Sequence, residues 1–108
     1  MKPEYLTILK NILNETVPKE EYIVFMFGSR VAKNNHERSD IDIGLWGNTT
    51  LSSSLRFTLE EKIENSIIPY KVELIDFSSV EEYFKKQALQ HIEIWNCPKN
   101  LATILKTS

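Results

Sequence analysis

Tyr22-Ile23-Val24-Phe25-Met26-Phe27 runs directly into Gly28-Ser29-Arg30, and a second segment, Ser39-Asp40-Ile41-Asp42-Ile43-Gly44-Leu45, follows it. Six apolar, β-branched and aromatic residues that stop at a glycine read as a buried strand delivering a tight turn. The second segment reads as a partner strand. Its period of two sets the Asp40 and Asp42 carboxylates on one face and Ile41, Ile43 and Leu45 on the other. Two like charges on one face of a short strand repel, and a cation between them relieves that repulsion. Hard divalent ions, Mg2+ or Mn2+, suit such a carboxylate pair and usually bring substrate phosphates with them.

On either side of this unit the apolar spacing predicts three helices and a third strand. Leu6, Leu9, Leu13 and Val17, with Ile8 and Ile12 beside them, make an amphipathic first helix closed by Pro18. Leu51, Leu55, Leu59, Ile63 and Ile67 repeat every four residues and predict a second helix ending before Pro69, with Phe57 off its apolar stripe. Tyr70 to Phe77 reads as a strand on which Val72 and Leu74 share one face, while Glu73 lies on the other with Lys71 and Ile75. A third helix from about Ser79 to His91 turns Val80, Phe84, Ala88 and Ile92 inward. Ile94-Trp95 and the Leu101 to Leu105 stretch predict a short strand and a terminal helical turn. Helix, strand, strand, helix, strand, helix is a mixed α+β pattern, a small sheet with helices packed against it.

With 108 residues, 42 % hydrophobic and 26 % charged, the chain is expected to be one ordinary globular domain spanning residues 1–108. A net charge of -2 argues against a general electrostatic grip on nucleic acid. The apolar run Ile23 to Phe27 is too short to span a bilayer, and no secretory pattern follows Met1, so a cytoplasmic protein is expected. The single cysteine, Cys97, has no second thiol for a disulfide or a metal site and reads as a small buried apolar residue. His36 and His91 lack metal-ligand spacing. Ser29 is not set in a Gly-x-Ser-x-Gly pattern, so it is no covalent nucleophile.

A strand ending in Gly28 lets backbone approach a ligand, and the amides that follow favour an anion. Joined to ten intervening residues, the same-face pair Asp40 and Asp42, and the later Val72-Glu73-Leu74, this turn resembles the signature of the minimal nucleotidyltransferases in the DNA polymerase beta and kanamycin nucleotidyltransferase superfamily. The resemblance runs from the first helix to about Trp95. It departs from the family pattern at Ala32 and Lys33, where many relatives carry a basic residue and a glycine.

The resemblance implies a nucleotidyltransferase fold and two-metal phosphoryl chemistry. Asp40, Asp42 and Glu73 would hold two Mg2+ or Mn2+ ions, with Glu73 completing the second site or accepting the nucleophile's proton. Gly28, Ser29 and Arg30 would hold the phosphates of ATP, the family's usual substrate. Asp76 is expected to cap the start of the third helix rather than bind metal. Larger family members add a helical wall that binds the acceptor. The short stretch after Asp76 leads to the expectation that a partner supplies that wall or is itself the acceptor. Chains of this kind resemble antitoxins paired in a hetero-oligomer with a helical HEPN protein, to which AMP is transferred. The alternatives are a binding-only antitoxin without chemistry and a small-molecule, aminoglycoside-like transferase needing a partner subunit.

Overall fold

A strand with no polar face has to be covered on both sides, and β1 (Tyr22–Phe27) is: all six of its residues are buried. It pairs antiparallel with β2 (Ile41–Gly47) on one side and with β4 (Ile92–Asn96) on the other. Parallel to β2 lies β3 (Val72–Asp76), which completes a four-stranded mixed sheet in the order β3-β2-β1-β4. Parallel neighbours need a crossover, and α2 (Ser53–Glu64) supplies it. Before the sheet comes α1 (Pro3–Thr16); after β3 come α3 (Glu82–Ala88), and beyond β4 a 3-10 turn (Lys99–Leu101) and α4 (Ala102–Lys106). The computed structural model describes residues 3–28, 31 and 40–106.

Alternation along β1 divides the core in two. Val24 and Met26 join Ile41, Ile43 and Leu45 under α1 and α2, meeting Leu9, Ile12 and Leu13 from the first helix and Leu59 and Ile63 from the second. Ile23, Phe25 and Phe27 point the opposite way, into a cluster with Trp46, Phe77 and Leu101 that α3 and the C-terminal turns cover. There the Phe25 and Phe77 rings meet edge to face at 4.8 Å, and Phe27 and Phe77 at 5.1 Å. Each fully buried ring contributes about 1.5–3 kcal/mol of burial free energy, so these aromatics hold the second layer on the sheet. Gly44 sits opposite Phe25 in the β1–β2 register. A side chain there would strike the Phe25 ring, which lies across β2 in the space the glycine leaves.

The expected mixed α+β architecture is present, with three local corrections. Residues Leu51 and Ile67 lie outside the second helix. Ser52 caps its start, accepting from the Leu55 amide at 3.1 Å, and Ile67 is 72 % exposed beyond its end. The four-residue rhythm ran on through both boundaries, because a capping serine is a stronger start signal than a leucine in register. The third helix is shorter than expected, closing at Ala88, and Ile92 belongs to β4. There the open edge of β1 offers a backbone ladder to the β-branched Ile92 and Ile94, which wins over another helical turn. Phe84, expected to point inward, is 40 % exposed although its ring touches Phe27. Phe57 stands clear of the apolar stripe as anticipated, and Cys97 is half-buried against the second core layer.

No helix among the described residues is long and apolar enough to cross a membrane.

Candidate active site

Strand β1 ends where its backbone turns. Gly28 takes a left-handed φ of 87°, a conformation that glycine adopts without the steric cost of a side chain. Its carbonyl accepts from the Val31 amide at 3.2 Å, closing the turn. The Gly28 Cα faces the Asp42 carboxylate so closely that a Cβ built on it would overlap Asp42 Oδ2. Gly28 therefore does two things, permitting the turn and leaving room for a carboxylate beside it.

Asp42 lies in the second residue of β2, half-buried, on the face away from Ile41 and Ile43. The pairing register runs one row across the sheet: Ile92 on β4, Phe27 on β1, Asp42 on β2 and Glu73 on β3. Asp42 and Glu73 are thus cross-strand neighbours although 31 positions apart in the chain. Asp40 precedes β2 and is exposed, two residues from Asp42 and on its side of the strand. Burial, then the charge of Glu73, then that of Asp40 push the Asp42 carboxyl above its ordinary value. Carboxylates crowded until one resists ionisation are a donor set that a hard cation relieves.

Glu73 is drawn sideways. Its Oε1 pairs with Lys71 Nζ at 3.2 Å along the edge of the sheet. Among the described residues no three acidic, histidine or cysteine side chains close on one point as a metal-ligand cage. Asp40, Asp42 and Glu73 share one corner of the sheet without converging on it. An aromatic wall stands next to them: Phe84 meets Phe27, Asp42's neighbour on β1, edge to face at 6.1 Å.

Of the other residues singled out in the sequence, Ser29 and Arg30 lie outside the described residues, as do Ala32, Lys33 and His36. Asp76 does not cap α3 as expected, since Glu81 stands at that position, and its hydrogen bonds lie elsewhere. It is buried and accepts four hydrogen bonds, from the Leu51 amide at 2.9 Å, the Ser78 amide at 3.0 Å, and the Ser78 and Ser79 hydroxyls at 2.6 and 2.9 Å. These bonds close the turn after β3 and reach back to the approach of α2, rather than capping α3. Two features escaped sequence reasoning. Lys71 was read only as a companion of Glu73 on one strand face, although a cation two residues from an acid on a strand is a visible signal. Arg56 carries no periodic signal, yet its Nη1 donates to the Leu74 carbonyl at 2.8 Å and ties α2 to β3.

Residues 8–99 match the family model described as polymerase beta, nucleotidyltransferase, and the chain belongs to that family: by class it is a nucleotidyltransferase. The Probable protein adenylyltransferase MntA of Haemophilus influenzae is 35 % identical over 86 residues, which are 80 % of this chain and 74 % of that one. Two solved structures share the fold. One, described as a toxin-antitoxin with AMP-PNP, matches with a TM-score of 0.73 at 23 % identity over 94 % of this chain and 80 % of that one. The other, a tri-AMPylated Shewanella oneidensis HEPN toxin in complex with MNT antitoxin, matches with a TM-score of 0.69 at 21 % identity over 97 % and 80 %.

Because the turn and the carboxylate are in contact, Gly28→Ala is expected to cost both stability and activity. The new methyl meets Asp42 Oδ2 at a strained φ, a loss of about 1–3 kcal/mol. Denaturant unfolding would show it, and a Gly28→Ala, Asp42→Ala double variant would recover part of the loss by removing the obstacle.

Proposed function

We propose that this chain is a metal-dependent adenylyltransferase that moves AMP from ATP to a hydroxyl of a helical HEPN-type partner and serves as the antitoxin of that pair. The observation that carries the reading is the row that puts Asp42 and Glu73 side by side, with Asp40 on the same side and Gly28 packed against Asp42. The name of the Haemophilus influenzae relative supports protein adenylylation, and the structures that share the fold support a HEPN-type partner.

Asp40, Asp42 and Glu73 would hold the divalent ions, Mg2+ or Mn2+. These ions, when bound, supply charge neutralisation for the triphosphate and a lowered pKa for the attacking hydroxyl. The chain's own residues do the rest. A side-chain-free Gly28 lets phosphate oxygens come close to the backbone, and Ser29 and Arg30, which follow it in the sequence, would receive them. As the acceptor oxygen bonds to the α-phosphorus, the bond to the bridging oxygen breaks and pyrophosphate leaves. Glu73, on the edge strand of the sheet, would complete the second ion site or take the acceptor's proton.

The test combines the purified chain with ATP radiolabelled on the α-phosphorus, Mg2+ and a HEPN-type protein from the same genome, beside an Asp40→Ala, Asp42→Ala control. Label on the partner that is absent in the control is the expected result. A tight complex without label, unaffected by the double substitution, would leave a binding-only antitoxin.

A further inference from the structure

We propose that Lys71 is a built-in counter-cation of the acidic site, holding Glu73 while no divalent ion is present and giving it up as one arrives. The inference rests on reading Asp40, Asp42 and Glu73 as a metal-binding set.

Four observations carry it. Lys71 Nζ lies 3.2 Å from Glu73 Oε1, and among the described residues this is the one ion pair made by any of the three site acids. Lys71 stands immediately before β3 and two residues from Glu73, the residue that pairs with Asp42 across the sheet. The Ile41 amide donates to the Lys71 carbonyl at 2.9 Å, so Lys71 flanks the start of β2 immediately beside Asp40. The nearby cation Arg56 is committed elsewhere, to the Leu74 carbonyl and at 4.0 Å to Glu60. Among the described residues, the cation paired with this set of acids is therefore the flexible Lys71 ammonium at the sheet edge, through Glu73.

The exposure of the pair decides between a strut and an exchangeable counter-ion. The Lys71 side chain is 68 % exposed and that of Glu73 41 %, and ion pairs this open to water contribute little to folding. A weak contact on a long, mobile stem is easily traded when a doubly charged ion offers the carboxylate a better partner. It is also compatible with the open arrangement of the acids: Glu73 is paired with Lys71, and the three acids do not close on one point. Lys71 is accordingly a positioning residue, acting on the site through Glu73.

The measurement is Mn2+ binding to the full chain by electron paramagnetic resonance, for the wild type, Lys71→Met, Lys71→Arg and Asp42→Asn. Removing a competing unit charge within a few ångströms of a divalent ion should tighten binding about three- to tenfold at low salt, and less at high salt. Lys71→Arg keeps the charge and should bind as the wild type does. Unchanged or weaker binding by Lys71→Met, while Asp42→Asn loses the ion, would overturn the counter-cation and leave the site intact. Wild-type affinity in Asp42→Asn would overturn the metal-site reading and the counter-cation with it.

Discussion

Asp42→Asn is expected to give a chain that melts at a higher temperature than the wild type at neutral pH and transfers nucleotide at least about a thousandfold more slowly. The two effects share a cause. Burial and the charges of Glu73 and Asp40 hold the Asp42 carboxyl above its ordinary value of 3.8, so the folded chain binds that proton more tightly than the unfolded chain does. The stabilisation from the proton is complete below the ordinary value and is lost as pH rises through the raised one. At neutral pH the ionised group is left as a cost of folding. Water still reaches the half-buried group and keeps that cost small, but it has a definite sign, and the variant's melting temperature should lie above the wild type's. The asparagine keeps the shape and drops the charge. Its advantage should therefore be present at pH 7 and fade toward pH 4, as both chains come to carry a neutral side chain there. Adding Mn2+ should raise the wild-type melting temperature and leave the variant's unchanged. Identical melting curves at pH 7 would mean that the carboxylates are not in conflict.

Asp76→Ala is expected to be the most destabilising single change in the β3 region, by about 3 kcal/mol. The carboxylate is one-sidedly indispensable, because four donors converge on it and one of them, the Leu51 amide, is buried 25 residues away in the chain. Truncation leaves that amide with no partner. Burial alone would push the Asp76 carboxyl up, but the bonds from the Ser78 hydroxyl, the Leu51 and Ser78 amides and the Ser79 hydroxyl outweigh it and hold the group below its ordinary value. Its pH dependence is the reverse of Asp42's: the stabilisation is present above the ordinary value and disappears as pH falls through the lowered one. Urea unfolding at pH 7 gives the magnitude. Repeating it in steps to about pH 3 should show the wild type approaching the variant. An Asp76→Ala chain as stable as the wild type at pH 7 would show that the Leu51 amide finds water instead.

What could be read from the sequence was local. β1 was legible because a six-residue apolar run ending in glycine has few other uses, and the same-face placement of Asp40 and Asp42 follows from the pleat alone. Glu73 was legible for the same reason, as an acid between Val72 and Leu74, and the structure sets it next to Asp42. What the sequence did not disclose depends on contacts between distant segments. The reach of Asp76 to Leu51 and the grip of Arg56 on Leu74 carry no periodic signal in either segment. The boundary between α3 and β4 was misplaced because Val80, Phe84, Ala88 and Ile92 keep helical spacing, while the free edge of β1 that recruits Ile92 is a property of the assembled sheet.

The parallel pairing of β2 with β3 has a consequence for the order of events when the chain folds. Gly28, Asp40 and Asp42 come from one antiparallel neighbourhood whose contacts are close in sequence, and such pairings form early. Glu73 pairs with Asp42 only across the whole crossover, a loop whose closure is costlier, and Arg56 of α2 holds β3 by its Leu74 carbonyl, so Glu73 is expected to arrive later. A half-folded chain would then present two carboxylates and a turn without the third acid of the proposed set. Such a site would be complete only in the finished fold, and nucleotide transfer would be gained together with structural integrity.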